Sequence, residues 1–210
     1  MNYLAHCLIG ELAAGEADLT PALVAGGFLG DFVKGPVPTD MPKELALGVR
    51  LHRRVDAYSN RQPDIRQSTD RFPPELRRIA PILVDILCDH LLSRRWDEFH
   101  PAALPDFTED VYRHLDDHSR WLPARGRQFL DYARERDLLL RYGDWSVTAA
   151  SMRSITRRLG RSELDPLLAA AIPPMLDALE ADFRRYFPDI LRHARTWVAG
   201  ERGGIVSRQS

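Results

Sequence analysis

Ile79-Ala80-Pro81-Ile82-Leu83-Val84-Asp85-Ile86-Leu87-Cys88-Asp89-His90-Leu91-Leu92-Ser93-Arg94 decides the fold class. Ile79, Ile82, Leu83, Ile86, Leu87, Leu91 and Leu92 recur at intervals of three and four, the period of one helix face and not the alternation of a half-buried strand. The pair Pro73-Pro74 upstream predicts where this helix opens, and Phe99 roughly where it ends. Asp85 and Asp89 are interleaved with the apolar residues. Side chains four apart on a helix lie on one face with Cβ atoms roughly 5–6 Å apart, so the two carboxylates can converge on one point.

The same period runs outward in both directions. Asn2 to Ala14 reads as a first helix; Thr20-Pro21 supplies a cap and a proline for a second, running to about Val33. The proline-rich segment Gly35 to Pro42 reads as a loop, Lys43 to Asn60 as a third helix, and Pro63 opens a short one. Further helices are predicted over Asp106 to Leu122, Arg125 to Arg141, Trp145 to Leu159, Ser162 to Ala171 and Pro173 to Ala199, the last kinked or broken at Pro188. Alternating apolar and polar runs between hairpin turns are missing, so the expectation is an all-α, single-domain helical bundle over residues 1–200. Residues 201–210 read as a disordered tail.

Composition narrows the function. A formal net charge of −1 and a pI near 6.7 give no long-range attraction to nucleic acid or to an anionic membrane. Lysine occurs only at Lys34 and Lys43, so almost all basic residues are arginine and arginine counts carry little weight. Cys7 and Cys88 lack the spacing of a redox or zinc motif and fit reduced thiols. The opening residues do not read as a signal peptide, and no apolar run reaches the roughly 18 residues of a membrane span. A soluble, cytoplasmic protein is expected.

Four groups of residues could carry chemistry. Asp31 lies in Gly26-Gly27-Phe28-Leu29-Gly30-Asp31-Phe32-Val33, where an acid among apolar residues needs a cationic partner, either an arginine or a metal. His52 and Asp56 are one helical turn apart, which suits a metal-ligand pair and equally a surface ion pair. Asp85, Asp89 and His90 form the third group; adjacent residues diverge by about 100°, so Asp89 and His90 need not meet one ion. His6, on the apolar first helix, reads as a satisfied histidine that orients a ligand. His100, His114, His118 and His193 are assigned to the surface, and Trp96 and Tyr186-Phe187-Pro188 to the core. Oxygen and imidazole donors without thiolates suit Mn²⁺, Mg²⁺, Fe²⁺ or Zn²⁺, with the carboxylates favouring Mn²⁺ or Mg²⁺. Arg53, Arg54, Arg94 and Arg95 flank these groups and could hold phosphate or meet an acidic surface. The phosphate-binding P-loop, GxSxG and HExxH are all missing.

Met1-Asn2-Tyr3-Leu4-Ala5-His6, Gly30-Asp31-Phe32-Val33-Lys34-Gly35, His52-Arg53-Arg54-Val55-Asp56, and Ala80-Pro81 with Asp85, Asp89-His90 and Ser93-Arg94 follow one another in an order that resembles the bacterial acyl carrier protein phosphodiesterase family. The likeness returns in Leu176-Asp177-Ala178-Leu179-Glu180 and Tyr186-Phe187-Pro188, and fades between Phe99 and Leu164. The resemblance implies a helical fold of the HD phosphohydrolase type and a divalent metal, most readily Mn²⁺, with Mg²⁺ or Fe²⁺ as alternatives. It implies hydrolysis of the phosphodiester that joins 4′-phosphopantetheine to a serine of holo acyl carrier protein. The metal pattern falls on Asp31, His52, Asp56, Asp89 and His90, although here Asp precedes His in the dipeptide. Asp31, Asp85 and Arg53 are the expected catalytic side chains, His6 an orienting one, and Arg54, Arg94 and Arg95 the contacts to the acidic carrier. Two other readings compete: a phosphohydrolase of the same fold acting on a small nucleotide or other phosphoester, and a non-catalytic helical binding protein whose acids and histidines form internal ion pairs.

Overall fold

Residues Leu4 to Gly10 are buried without a break, and so are Ala22 to Gly30. A helix with no solvent stripe belongs at the centre of a bundle, and these two helices form it. The computed structural model of the chain describes residues 1–15 and 17–206, with side chains through Arg202. Among the described residues the helices are α1 (Tyr3–Ala14), α2 (Thr20–Leu29), α3 (Lys43–Ser59), α4 (Pro63–Asp70), α5 (Ala80–Arg94), α6 (Leu104–Asp117), α7 (Ala124–Glu135), α8 (Leu138–Arg141), α9 (Trp145–Arg158), α10 (Asp165–Ala171) and α11 (Leu176–Val206). Short 3-10 turns at Trp96–Glu98, Ser119–Trp121, Ser162–Leu164 and Pro173–Met175 complete the described elements, which include no strand.

The packing around α2 is close enough to exclude side chains. A Cβ placed on Gly26 would lie 2.5 Å from the Cα of Gly48, so α2 and α3 cross backbone to backbone. α1 packs on α2, α5 and α11, while α11 also lies along α3 and α4 and closes the bundle. One apolar cluster runs through the molecule from Met1 to Val198 and takes in Trp96, Tyr186 and Phe187, as expected of them. Cys7 and Cys88 are free and buried in it. No helix among the described residues is long and apolar enough to cross a membrane.

Several boundaries differ from those read in the sequence, each for a local reason. The α5 helix opens at Ala80, not at Pro73-Pro74, because Pro81 in the middle of a longer helix would clash with a carbonyl one turn back, whereas here it occupies the first turn. The α2 helix ends at Leu29, not Val33: the N–H groups of Phe32 and Val33 both donate to the Leu29 carbonyl, at 2.8 and 2.9 Å, and this tight turn carries Asp31 out of the helix. Asp137, in the left-handed region at φ 48°, separates α7 from α8 within the span read as one helix. The last helix is not broken: α11 continues through Pro188 and reaches Val206, into the expected tail, of which 207–210 lie outside the described residues.

Candidate metal centre

Three helices bring the site together: α1 supplies His6, the turn after α2 supplies Asp31, and α3 supplies His52 and Asp56 one turn apart. The α2 backbone shapes the position of His52. A Cβ on Gly30 would stand 2.1 Å from His52 Cγ, so only glycine leaves room for the ring. The His52 Nδ1 lies 2.8 Å from the Gly27 carbonyl, which fixes the proton there and leaves Nε2 as the free ligand atom in the neutral ring. The His6 and His52 rings stack with centroids 3.9 Å apart.

Both imidazoles face carboxylates. His6 Nε2 is 3.0 Å from Asp56 Oδ1, and His52 Nε2 is 3.3 Å from Asp56 Oδ2 and 3.9 Å from Asp31 Oδ1. One ligand atom from each of His6, His52 and Asp56 fits within 4.8 Å of the others. Burial, then the neighbouring His52, pushes the His6 pKa down to about 3, so its ring is neutral at neutral pH. Burial acts to raise Asp56, but hydrogen bonds from His52 and His6 outweigh it and hold the carboxyl well below the ordinary range. Burial, only partly offset by His52, raises the pKa of Asp31. With Nδ1 directed at the Gly27 carbonyl, His52 turns Nε2 toward both carboxylates, a contact that needs a proton or a metal ion between nitrogen and oxygen.

Two imidazole nitrogens with an ionised carboxylate, and a second carboxylate within reach, form a donor set that suits a divalent cation. The side chains of Asp31 and Asp56 remain 37% and 39% exposed, so one side of the cluster is open to solvent. The acids also attract an ammonium: the buried α-amino group of Met1 lies 3.2 Å from Asp56 Oδ1 and 3.0 Å from Asp85 Oδ1. Burial opposes that charge, yet Asp85 and Asp56 outweigh it and push the amine up to about 11. The half-exposed Asp85 thus borders the cluster through Met1.

The Asp89-His90 dipeptide, expected among the ligands, is not brought to the His6, His52 and Asp56 cluster. Asp89 is fully buried and accepts from the N–H groups of Leu4 and Ala5, both at 2.9 Å, so both of its oxygens cap the start of α1. Burial pushes its pKa up to about 7 against those two bonds. His90 points to a different neighbour, its Nδ1 2.8 Å from the Tyr142 carbonyl and its ring edge-on to Trp145, while burial lowers its pKa. His6, expected to orient a ligand, lies with His52 and Asp56 in the group that could hold a metal ion.

The arginines divide as well. Arg53 donates to the Val33 carbonyl at 2.7 Å and ties α3 to the Asp31 turn. Arg54 donates to His193 Nε2 at 3.2 Å, Arg95 is held by Glu180 at 2.5 Å, and Arg94 is exposed one turn after His90. Of the histidines assigned to the surface, His100 is mostly covered and pairs with Glu11 at 2.9 Å, and His193 stacks on Tyr58. Gly27 and Gly30, which hold the His52 ring, were legible only as small residues near Asp31.

A family profile described as acyl carrier protein phosphodiesterase matches residues 1–190. An acyl carrier protein phosphodiesterase of Yersinia pestis is 31% identical over 198 residues, covering 93% of this chain and 98% of its own length. One from Escherichia coli O45:K1 is 32% identical over 201 residues, covering 92% of this chain and 97% of its own. No solved structure matches the chain.

Proposed function

We propose, since the chain belongs to the acyl carrier protein phosphodiesterase family, that it uses a divalent cation to hydrolyse the phosphodiester between 4′-phosphopantetheine and the serine of holo acyl carrier protein. The products are apo carrier and free phosphopantetheine. The observation that carries this reading is the convergence of His6, His52 and Asp56 at one point open to solvent, where Asp56 meets the Met1 α-amino group but no arginine among the described residues. A cation bound there supplies charge neutralisation at a phosphoryl oxygen and activation of water. Two imidazoles among the donors weigh against Mg²⁺ and leave Mn²⁺ the first choice, with Fe²⁺ next.

The chain's own side chains divide the remaining work. His6 stays neutral, and the Gly27 carbonyl holds the His52 ring in place. Asp31, half exposed and with its pKa raised by burial, is placed to accept a proton from the attacking water. Arg53 uses one N–H on Val33 and retains others for a non-bridging oxygen. Asp85, at the edge of the cluster, is the acid–base group assigned to the serine oxygen that leaves. The HD type of fold belongs to this same reading.

The test is to incubate the purified protein with holo acyl carrier protein and Mn²⁺ and follow the intact mass of the carrier. Loss of the phosphopantetheine mass is expected; a carrier left unchanged by metal-loaded protein refutes the reading. Asp31→Ala is expected to abolish turnover with helix content intact, and wild-type rates would remove Asp31 from the site.

A further inference from the structure

The loop that follows the Asp31 turn and the short turn between α6 and α7 enclose a cavity of about 370 Å³, lined by Asp40, Arg120 and Trp121. Asp40 directly precedes Met41, which is buried in the core and whose N–H donates to the Pro38 carbonyl at 3.2 Å. Arg120 and Trp121 close the Ser119–Trp121 turn and precede Leu122, also buried, whose N–H donates to the Ser119 carbonyl at 3.1 Å. Each wall is therefore pinned by the residue next to its lining group. Pro36, Pro38 and Pro42 stiffen the first wall further.

The charges of this cavity are left open. Three guanidinium groups among the described residues lie over aromatic rings, and two of them, Arg134 and Arg136, also meet Asp116 and Glu135. Arg120, 5.0 Å from the centroid of Trp121, meets no carboxylate within 4.0 Å. Asp40 lines the same cavity and pairs neither with Arg120 nor with any other cation within 4.0 Å among the described residues. A lone guanidinium answers to an anion and a lone carboxylate to a cation. The two together in one cavity, unpaired and beside an indole face, answer to a neutral planar group that both donates and accepts.

Packing joins the cavity to the turn that carries Asp31. A Cβ on Gly126 would lie 2.8 Å from Leu122 Cδ2 and 3.1 Å from Phe32 Cγ, so the residue after Trp121 and the residue after Asp31 bear on one point of α7. A phosphopantetheine phosphorus at the metal centre carries an arm that reaches roughly 15 Å when extended and contains two amides in succession. An amide is planar, with one N–H donor and one carbonyl acceptor. We propose that this cavity is the subsite for the pantetheine arm, with Trp121 against the face of an amide, Arg120 donating to its carbonyl and Asp40 accepting from its N–H. This rests on the carrier-protein reading of the metal centre and adds to it the residues that select a pantetheine-bearing phosphodiester.

The experiment compares the wild-type chain with Trp121→Ala and with the double variant D40A/R120A, whose two side chains are exposed and whose loss spares the core. Cleavage of holo acyl carrier protein with Mn²⁺, its inhibition by free pantetheine, and the affinities for apo carrier and for Mn²⁺ are measured on each. In both variants kcat/KM for the holo carrier is expected to fall at least about tenfold and inhibition by pantetheine to weaken by a similar factor. Affinities for apo carrier, which lacks the arm, and for Mn²⁺ should stay within about twofold. Unchanged kcat/KM in both folded variants overturns the subsite, as does wild-type cleavage that excess pantetheine leaves uninhibited. An equal loss of affinity for apo carrier also overturns it, by assigning the cavity to the carrier's own surface, and so does a loss of Mn²⁺ affinity, by assigning these residues to the metal centre. Wild-type protein that binds Mn²⁺ yet leaves the holo carrier intact refutes the functional reading itself, and the subsite with it, before any variant is compared.

Discussion

Asp56 and Asp182 are both helical carboxylates gathered by several side chains, and their partners give them opposite characters. Asp182, fully buried, accepts from Ser68 Oγ at 3.0 Å, from Arg71 at 2.7 and 2.9 Å and from Arg185 at 2.5 Å, so fixed donors from α4, α11 and the segment between α4 and α5 saturate it. Burial acts to raise its pKa, and the bonds from Arg71, Ser68 and Arg185 more than reverse this. Asp56 is 39% exposed and faces two imidazoles and the Met1 α-amino group. A carboxylate closed off by guanidinium groups clamps helices together, whereas one that meets imidazole nitrogens and remains open to solvent leaves a place for a metal cation. The contrast lies in what neutralises each acid.

Substitution should separate the two most sharply in activity. His52→Ala or Asp56→Asn should lower turnover of the carrier by at least about a thousandfold with a nearly unchanged thermal midpoint, measured by carrier mass and circular dichroism. Turnover within tenfold of wild type would make Asp56 as structural as Asp182. Conversely, Asp182→Ala leaves Arg71 and Arg185 without their carboxylate and should cost about 2–4 kcal/mol in urea unfolding, with kcat of the folded protein retained. Because the folded Asp182 pKa is depressed, its stabilisation is present above the ordinary carboxylate pKa of about 4 and is lost as the pH falls through the lower folded value. The stability gap between wild type and Asp182→Ala should therefore hold at neutral pH and close in acid; a gap that widened in acid would contradict this assignment.

Smaller effects probe the scaffold around the open cluster. Gly30→Ala would put a methyl carbon 2.1 Å from His52 Cγ, so the ring must move, and Mn²⁺ affinity should fall about ten- to hundredfold by calorimetry. Unchanged affinity would mean that the ring can be displaced without consequence. Asp89→Asn keeps one acceptor for the α1 N–H groups and should cost only about 1 kcal/mol, read from urea unfolding. Complete loss of metal binding in that variant would return Asp89 to the ligand set.

The sequence made the helices legible through apolar period, and it made His52 with Asp56 legible because both lie on one helix at a fixed spacing. It could not show which helix faces meet. Asp85, Asp89 and His90 share α5, yet Asp89 turns to the start of α1 and His90 to Tyr142, while His6 arrives at the cluster from an apolar helix that suggested a histidine orienting a ligand. The first N–H groups of α1 receive no side-chain cap from Asn2, so a distant aspartate takes that place, and no local pattern announces such a partner. The early start predicted for α5 failed for a reason already present in the sequence, the interior position it gave to Pro81.

Mn²⁺ titration by calorimetry of wild-type protein, His6→Ala and His90→Ala separates the proposed centre of His6, His52 and Asp56 from one built on the Asp89-His90 dipeptide. Saturable binding is expected in wild type and in His90→Ala, with binding lost in His6→Ala. Intact binding in His6→Ala together with loss in His90→Ala, both variants folded, would overturn the proposed centre.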